Sequence, residues 1–238
     1  MVFCAWLLFT LSATAAIDPS TRTTASGRGL AQDSAPRADA EVPRALPVGL
    51  HTQFLEQPWP KQRVRDTEVG RHAVRWREKA NKREGIFTGL RFTAPLDREA
   101  VWRLSTDYSH VGQSTPGVTA VRFLEQTQAR QVIEVDAKVL WKTLTLRFEV
   151  EQEPPKVMRF RLAHAAIGDY RGVCTFQEVA DGNAGRRSTV VDLATWVKPA
   201  RPVPTGLILM AERMMYLAAA KEFLGTCERQ GALPPSSR

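Results

Sequence analysis

The sequence PTGLILMAERMMYLAAAKEFLGTCE, residues 204–228, predicts one long helix that decides how the rest of the chain can fold. Pro204 followed by Thr205 is a helix start signal. A helix of about 25 residues is about 37 Å long, enough to cross a six-stranded sheet. Its polar positions are few, so we expect most of its surface to be covered. The apolar stripe comprises Leu207, Met210, Ala211, Met214, Leu217, Ala218 and Leu224, and Ile208, Leu209, Met215 and Phe223 widen it.

Alternating apolar and polar residues before this helix predict an antiparallel sheet. In Thr143–Val150 the apolar set is Leu144, Leu146, Phe148 and Val150, and the intervening residues are polar or charged. A period of two with one polar face is typical of a sheet that buries a single side. The predicted strands are Arg71–Lys79, Gly85–Thr93, Val118–Glu125, Gln131–Val139, Thr143–Gln152, Lys156–Leu162, Tyr170–Val179 and Arg187–Val197.

Two short helical segments are predicted between the second and third of these strands. Asp97 can cap a helix over Asp97–Ser105, and Glu99 is favourable in its first turn. A helical turn follows near Tyr108–Gln113. The order is therefore strands, short helices, more strands and one long helix.

Five short motifs in this order resemble the START-like (SRPBCC) superfamily. The segment FTAPLDREAVW (Phe92–Trp102) is similar to its opening motif, and Asp107-Tyr108 with Pro116-Gly117-Val118 resembles its passage from helix to strand. Later motifs resemble its polyketide cyclase/dehydrase and coenzyme Q-binding-protein branches. These are Glu151–Pro155, Gly168–Gly172 and Lys198–Pro204. The resemblance extends from about Gly85 to Arg229.

This resemblance implies an α+β helix-grip fold. The expected architecture is a curved antiparallel sheet of about six to seven strands wrapped around the C-terminal helix, with two short helices after the first strand. It also implies a cavity between sheet and helix that binds a hydrophobic small molecule or lipid, with a polyketide cyclase or dehydratase as the alternative. No cofactor is expected, although the ligand could be a lipid or quinone. The expected ligand-binding residues are Trp102, Tyr108, Val135, Leu146, Phe148, Met158, Phe160, Phe176, Leu193, Met210, Met214 and Leu217.

Candidate catalytic and metal-binding residues are few. Asp107 and His110 share the turn between the short helices and are the candidate acid–base pair, unless they only cap a helix in solvent. None of the four histidines has metal-ligand spacing, so no metal site is expected. Cys174 and Cys227 could form a disulfide, but we favour buried free thiols because Cys174 alternates in phase with Phe176.

The chain before the folded domain divides into two segments. Residues 1–16 carry no charge and combine an apolar run with the small residues Ala13-Thr14-Ala15, which predicts a signal peptide cleaved near Ala15. The alternative is a retained hydrophobic anchor. Residues 17–60 are rich in Pro, Ala, Ser and Thr and are interpreted as a disordered tether whose end could dock on the domain. The START-like domain is assigned to 61–229 and a flexible tail to 230–238, in a periplasmic or secreted protein.

Positive charge is concentrated at the start of the domain. The chain has a net charge of +8, and residues 61–83 hold nine basic and three acidic side chains. An anionic membrane surface is one partner that such a strip suits, and a solvated strand is the plainer interpretation. Nucleic acid is not expected, since no aromatic residues interleave with the charges in a nucleic-acid-binding pattern. The candidate membrane-facing residues are Arg71, Arg75, Arg77, Lys79, Lys82 and Arg83.

Overall fold

A computed structural model describes most of the predicted domain. The described residues are 52–81, 83–108, 118–139, 142–164, 168–180, 187–200 and 202–231. The expected signal peptide, most of the tether, the tail after 231, Lys82 and His110 lie outside the described residues. Most of the helical turn expected at Tyr108–Gln113 also lies outside them.

The described helices and strands follow the predicted order closely. The helices are α1 (Gln53–Glu56), α2 (Arg98–Thr106) and α3 (Thr205–Gly231). As predicted, Asp97 caps α2, and its carboxylate accepts a 2.7 Å hydrogen bond from the amide of Ala100. The strands are β1 (Arg63–Val69), β2 (His72–Asn81), β3 (Gly85–Ala94), β4 (Val118–Gln126), β5 (Arg130–Val139), β6 (Lys142–Glu153), β7 (Val157–His164), β8 (Gly168–Ala180) and β9 (Arg187–Pro199).

The α+β helix-grip fold is confirmed, but the expected number of strands was too low. Within the described residues one antiparallel sheet has nine strands in the order β1-β2-β3-β9-β8-β7-β6-β5-β4. Strand β1, RVRDTEV, was not predicted because charged residues interrupt its alternation. It pairs with β2 from Arg63 opposite Glu78 to Val69 opposite His72. As a largely exposed edge strand, β1 needs little apolar surface.

Helix α3 packs across one half of the concave face of the sheet. Its backbone lies closest to β1, β2 and β3, and its Tyr216 side chain also reaches Thr195 in β9 and Tyr170 in β8. The ring of Tyr216 lies 5.9 Å from that of Trp76, and the ring of Phe223 lies 6.0 Å from that of Phe92. The concave faces of β5, β6 and β7 join the same buried core through Val135, Phe148 and other residues. The helix thus covers the sheet unevenly.

The buried face of α3 differs from the face predicted to bind ligand. Met210 and Met214 are 55% and 66% exposed, so neither belongs to the buried face of α3. Of the three α3 residues predicted to bind ligand, only Leu217 packs against the core, where it is partly buried. Because apolar residues surround much of α3, their spacing alone did not determine its rotation. The buried residues are Ile208, Glu212, Met215, Tyr216, Ala219, Ala220, Phe223, Leu224 and Cys227.

The convex face is covered by the segment around α1. Leu55 and Trp59 are buried there against Val173 and Ala194. The indole of Trp59 also lies beneath the Arg77 guanidinium, 5.1 Å from ring centre to Cζ. This segment lies within the range 17–60, and its end docks on the domain as the sequence analysis allowed.

Several basic residues in β2 and in the turn before it form ion pairs. Arg71 donates to Glu228 at 2.7 Å, and Arg75 donates to Asp66 at 2.8 Å. Arg77 is mostly buried and donates to Asp192 at 2.5 Å. With its guanidinium over the Trp59 ring and paired with Asp192, Arg77 presents little free charge at the surface.

The two cysteines of the folded domain are buried and do not form a disulfide with each other, as predicted. Both Cys174 and Cys227 lack a disulfide partner among the described residues. Burial raises the pKa of the Cys227 thiol to about 12, so this thiol is protonated at neutral pH and unreactive.

Candidate functional site

A polar cluster is buried between helix α3 and the sheet. Glu212 is only 2% exposed, and its Oε2 accepts a 2.8 Å hydrogen bond from the hydroxyl of Thr88. The Thr88 and Thr195 hydroxyls are 2.7 Å apart, and Tyr216 donates to Thr195 at 3.2 Å. The Tyr170 hydroxyl in turn bonds to that of Tyr216. Five polar side chains are therefore joined in one hydrogen-bonded network inside an apolar core.

The fold explains why these side chains meet. Thr88 in β3 and Thr195 in β9 are directly opposite each other, so their hydroxyls lie on the same face. Glu212 and Tyr216 are four residues apart and share one face of α3. Tyr170 projects from β8, the next strand after β9.

Burial changes the acidity of this cluster. It raises the pKa of Glu212 to about 8, although the Thr88 hydrogen bond opposes the shift. Burial, together with the neighbouring Tyr216 and Glu212, also raises the pKa of Tyr170 well above its ordinary value. At neutral pH the cluster is therefore a neutral set of donors and acceptors that includes a protonated carboxylic acid.

Most of the predicted ligand-binding residues do lie inside the fold. They are buried together in the main core, with Trp102 at the end near α2. Trp102 packs edge-on against Phe176, and Phe160 stacks on Tyr170. The buried members of the predicted set are Trp102, Tyr108, Val135, Leu146, Phe148, Met158, Phe160, Phe176 and Leu193.

Parts of this interior are occupied by protein side chains. A Cβ atom at Gly172 would lie 2.1 Å from the Phe160 ring, so this glycine makes room for the ring. Gln152 donates to the Tyr108 hydroxyl at 3.1 Å, and that hydroxyl lies 3.9 Å from the Met158 sulfur. A ligand between the helix and the β5–β7 face would contact these aromatic and thioether groups.

The predicted acid–base pair is not part of the polar cluster. Asp107 is exposed at the end of α2, and His110 lies outside the described residues. In the sequence, Glu212 stands out only as one of the few polar positions on the helix. Glu212 stands four residues after Ile208 and four before Tyr216, but apolar residues at similar spacing on the other faces of α3 kept this pattern from identifying the buried face.

Two open cavities lie along the seam between α3 and the β1–β2 edge. One has a volume of about 720 Å³ beside the start of α3 and includes Leu209 in its lining. The other, of about 420 Å³, lies near the end of α3 beside His72 and Glu228. Among the described residues, no helix is both long and apolar enough to cross a membrane. Over the same residues, no group of three metal-ligating side chains comes together.

Solved structures of similar fold support the helix-grip assignment. A STAR-related lipid transfer protein from Xanthomonas axonopodis is 13% identical, with a TM-score of 0.54 over 70% of this chain and 98% of that one. A START superfamily protein from Mycobacterium smegmatis is also 13% identical, with a TM-score of 0.50 over 60% of this chain and 98% of that one. At such low identity, the likeness shows the fold alone.

Sequence comparison gives the family directly. A comparison with curated proteins found no match. The sequence model of the family described as "Polyketide cyclase / dehydrase and lipid transport" matches residues 94–223, which is more than half of the chain. This chain therefore belongs to the polyketide cyclase/dehydrase and lipid transport family.

Proposed function

We propose that this protein binds a hydrophobic small molecule or lipid between the sheet and helix α3, and carries it outside the cytoplasm. The family and the helix-grip fold support a ligand-binding domain. The buried carboxylic acid and hydroxyls of Glu212, Thr88 and Tyr216 would bind a polar group of an otherwise apolar ligand. Apolar sites with a few placed polar groups are typical of small-molecule binding.

The observation that carries this proposal is the uneven covering of the concave face. The backbone of helix α3 lies closest to β1–β3, whereas side chains of β5–β7 also belong to the buried core. Phe148, Met158 and Phe160 belong to this second half. Their rings and thioether can change rotamer around a ligand.

The first experiment is mass spectrometry of the full-length protein purified from its exported fraction. We expect an apolar molecule to co-purify at a fixed ratio, and the mature chain to begin close to Ala15. Repeated recovery of the protein without such a molecule, together with no binding of a fluorescent fatty acid, would contradict ligand binding. An intact mass that retains residues 1–16 would contradict cleavage.

A matched pair of variants on β6 tests the location of the ligand. Leu146 is buried on the concave face, and Thr143 is exposed on the same strand. Leu146→Phe should weaken the binding of a fluorescent fatty acid by about tenfold or more, because the larger ring occupies space that the ligand needs. The same overpacking should lower the free energy of unfolding by about 1–3 kcal/mol. Thr143→Phe should bind normally. Equal affinity in two folded variants, judged by their thermal transitions, would place the ligand elsewhere.

A cyclase or dehydratase activity is the second candidate, and one observation favours it. Glu212 is protonated at neutral pH and buried among hydroxyl groups, which suits a general acid. If the protein turns over a polyketide-like substrate, Glu212→Gln should lower kcat by about 10²–10⁴-fold, while Asp107→Asn leaves it unchanged. The reverse pattern would assign the acid–base role to the exposed turn.

A further inference from the structure

The cleft of about 720 Å³ beside the start of α3 differs in chemistry from the core. It opens where the beginning of β1 and the end of β2 meet the first turns of the helix. Its wall is mainly basic. Its lining includes Lys61, Arg63, Glu78, Lys79, Arg83 and Leu209.

The positive charge of this cleft is largely uncompensated. Lys61, Arg63 and Arg83 form no ion pair with another residue in the described part of the chain. Lys79 is the exception, since its Nζ lies 3.2 Å from a carboxylate oxygen of Glu84. Clusters of cations around a concave surface attract anions, and arginine suits phosphate and carboxylate groups in particular.

The acidic residue in the cleft is already engaged. Glu78 accepts a 2.8 Å hydrogen bond from the indole of Trp76, and its other oxygen lies 3.8 Å from Arg65. Its charge therefore compensates Arg65 and leaves the lining cations Lys61, Arg63 and Arg83 available to an anion.

The cleft lies beside the apolar core. Leu209 lines the cleft and also packs against the core, three residues before Glu212 on α3. Trp76 connects the same two regions, because its indole nitrogen bonds to Glu78 while its ring contacts Tyr216. A charged group in the cleft and an apolar chain along the core could therefore belong to one molecule.

We propose that this cleft binds the phosphate or carboxylate group of an anionic amphiphile whose apolar tail enters the interior. The inference rests on the proposed function, because it names the class of ligand that the same domain would carry. The cations bind the head group, and the buried core excludes water from the tail. The structure thereby favours an anionic ligand over a neutral one of equal chain length.

The test compares dodecyl phosphate, dodecanol and inorganic phosphate by titration calorimetry with the full-length protein, below micelle-forming concentrations. Dodecyl phosphate should bind about tenfold or more tightly than dodecanol, and high salt should reduce this advantage. The double variant Arg63→Gln/Arg83→Gln should lose the advantage but keep its affinity for dodecanol. The control Arg103→Gln removes an exposed arginine from α2, away from the cleft, and should bind like the native protein.

Each other result has a definite meaning. Equal binding of dodecyl phosphate and dodecanol to the native protein would overturn the anionic class while leaving hydrophobic-ligand binding intact. Inorganic phosphate binding as tightly as dodecyl phosphate would also overturn it, since the site would then recognise a free anion. Failure of both dodecyl compounds to bind would overturn the proposed function itself. If the double variant still binds dodecyl phosphate more tightly than dodecanol by the native factor, the anion site does not involve Arg63 and Arg83.

Discussion

Replacing Glu212 by glutamine should make the protein much less sensitive to alkaline pH. The folded-state pKa of Glu212 is about 8, above its ordinary value of 4.5. Because the folded pKa is the higher one, the contribution of this group is fully present below pH 4.5. It is lost progressively as the pH rises to about 8. The difference between these pKa values corresponds to on the order of 5 kcal/mol, a large part of the 5–15 kcal/mol of a typical domain.

Urea denaturation of native protein and Glu212→Gln at pH 5 and pH 9 measures this effect. At pH 9 the variant should be more stable than the native protein. Between pH 5 and pH 9 the difference in their free energies of unfolding should shift in favour of the variant by several kcal/mol. Comparing the two proteins at each pH cancels the titration of all other groups. Parallel stability curves for both proteins would show that Glu212 does not titrate in this window.

Two further variants test whether the burial of Glu212 and its hydrogen bond to Thr88 determine the pH dependence. Glu222 is exposed on the same helix, so Glu222→Gln should leave the pH dependence unchanged. The Thr88 hydrogen bond lowers the pKa of Glu212, so Thr88→Val should raise that pKa and extend the loss of stability to higher pH. If the stability of Thr88→Val is lost at lower pH than that of the native protein, the Thr88 hydrogen bond does not lower the pKa of Glu212.

Replacing Trp59 by alanine should destabilise the domain by about 3–5 kcal/mol, as expected for a buried tryptophan. Trp59 is 5% exposed, its ring lies 5.6 Å from that of Phe87, and the Arg77 guanidinium lies over it. The variant would therefore lose apolar burial and a cation–π contact together. The measurement is the free energy of unfolding from urea titration.

Phenylalanine at the same position is the matched control. The Trp59 indole nitrogen is buried and makes no hydrogen bond with any described residue. Trp59→Phe therefore removes no polar contact and should cost less than about half of the alanine effect. An alanine variant within about 0.5 kcal/mol of the native protein would mean that the α1 segment does not pack on the sheet in solution.

The family resemblance was assigned from five short motifs, and the comparisons confirm it. The strand boundaries followed from alternation, and β3 and β6 begin and end within one residue of their predicted limits. The missing strand β1 shows the limit of that signal. A charged edge strand has no apolar face that its own sequence could reveal. Strand β1 forms because its backbone pairs with β2.

Alternation and helical length in the sequence were sufficient to determine the antiparallel sheet and the long terminal helix, because both depend on local periodicity. Only the tertiary structure decided which side of α3 is buried. A helix that is apolar on most of its surface has little rotational preference, so complementarity with Trp76, Phe92 and Thr88 determined its orientation. That rotation exposed Met210 and Met214 and buried Glu212. The polar cluster therefore arises from contacts between residues 21 to 124 positions apart, which no local pattern specifies.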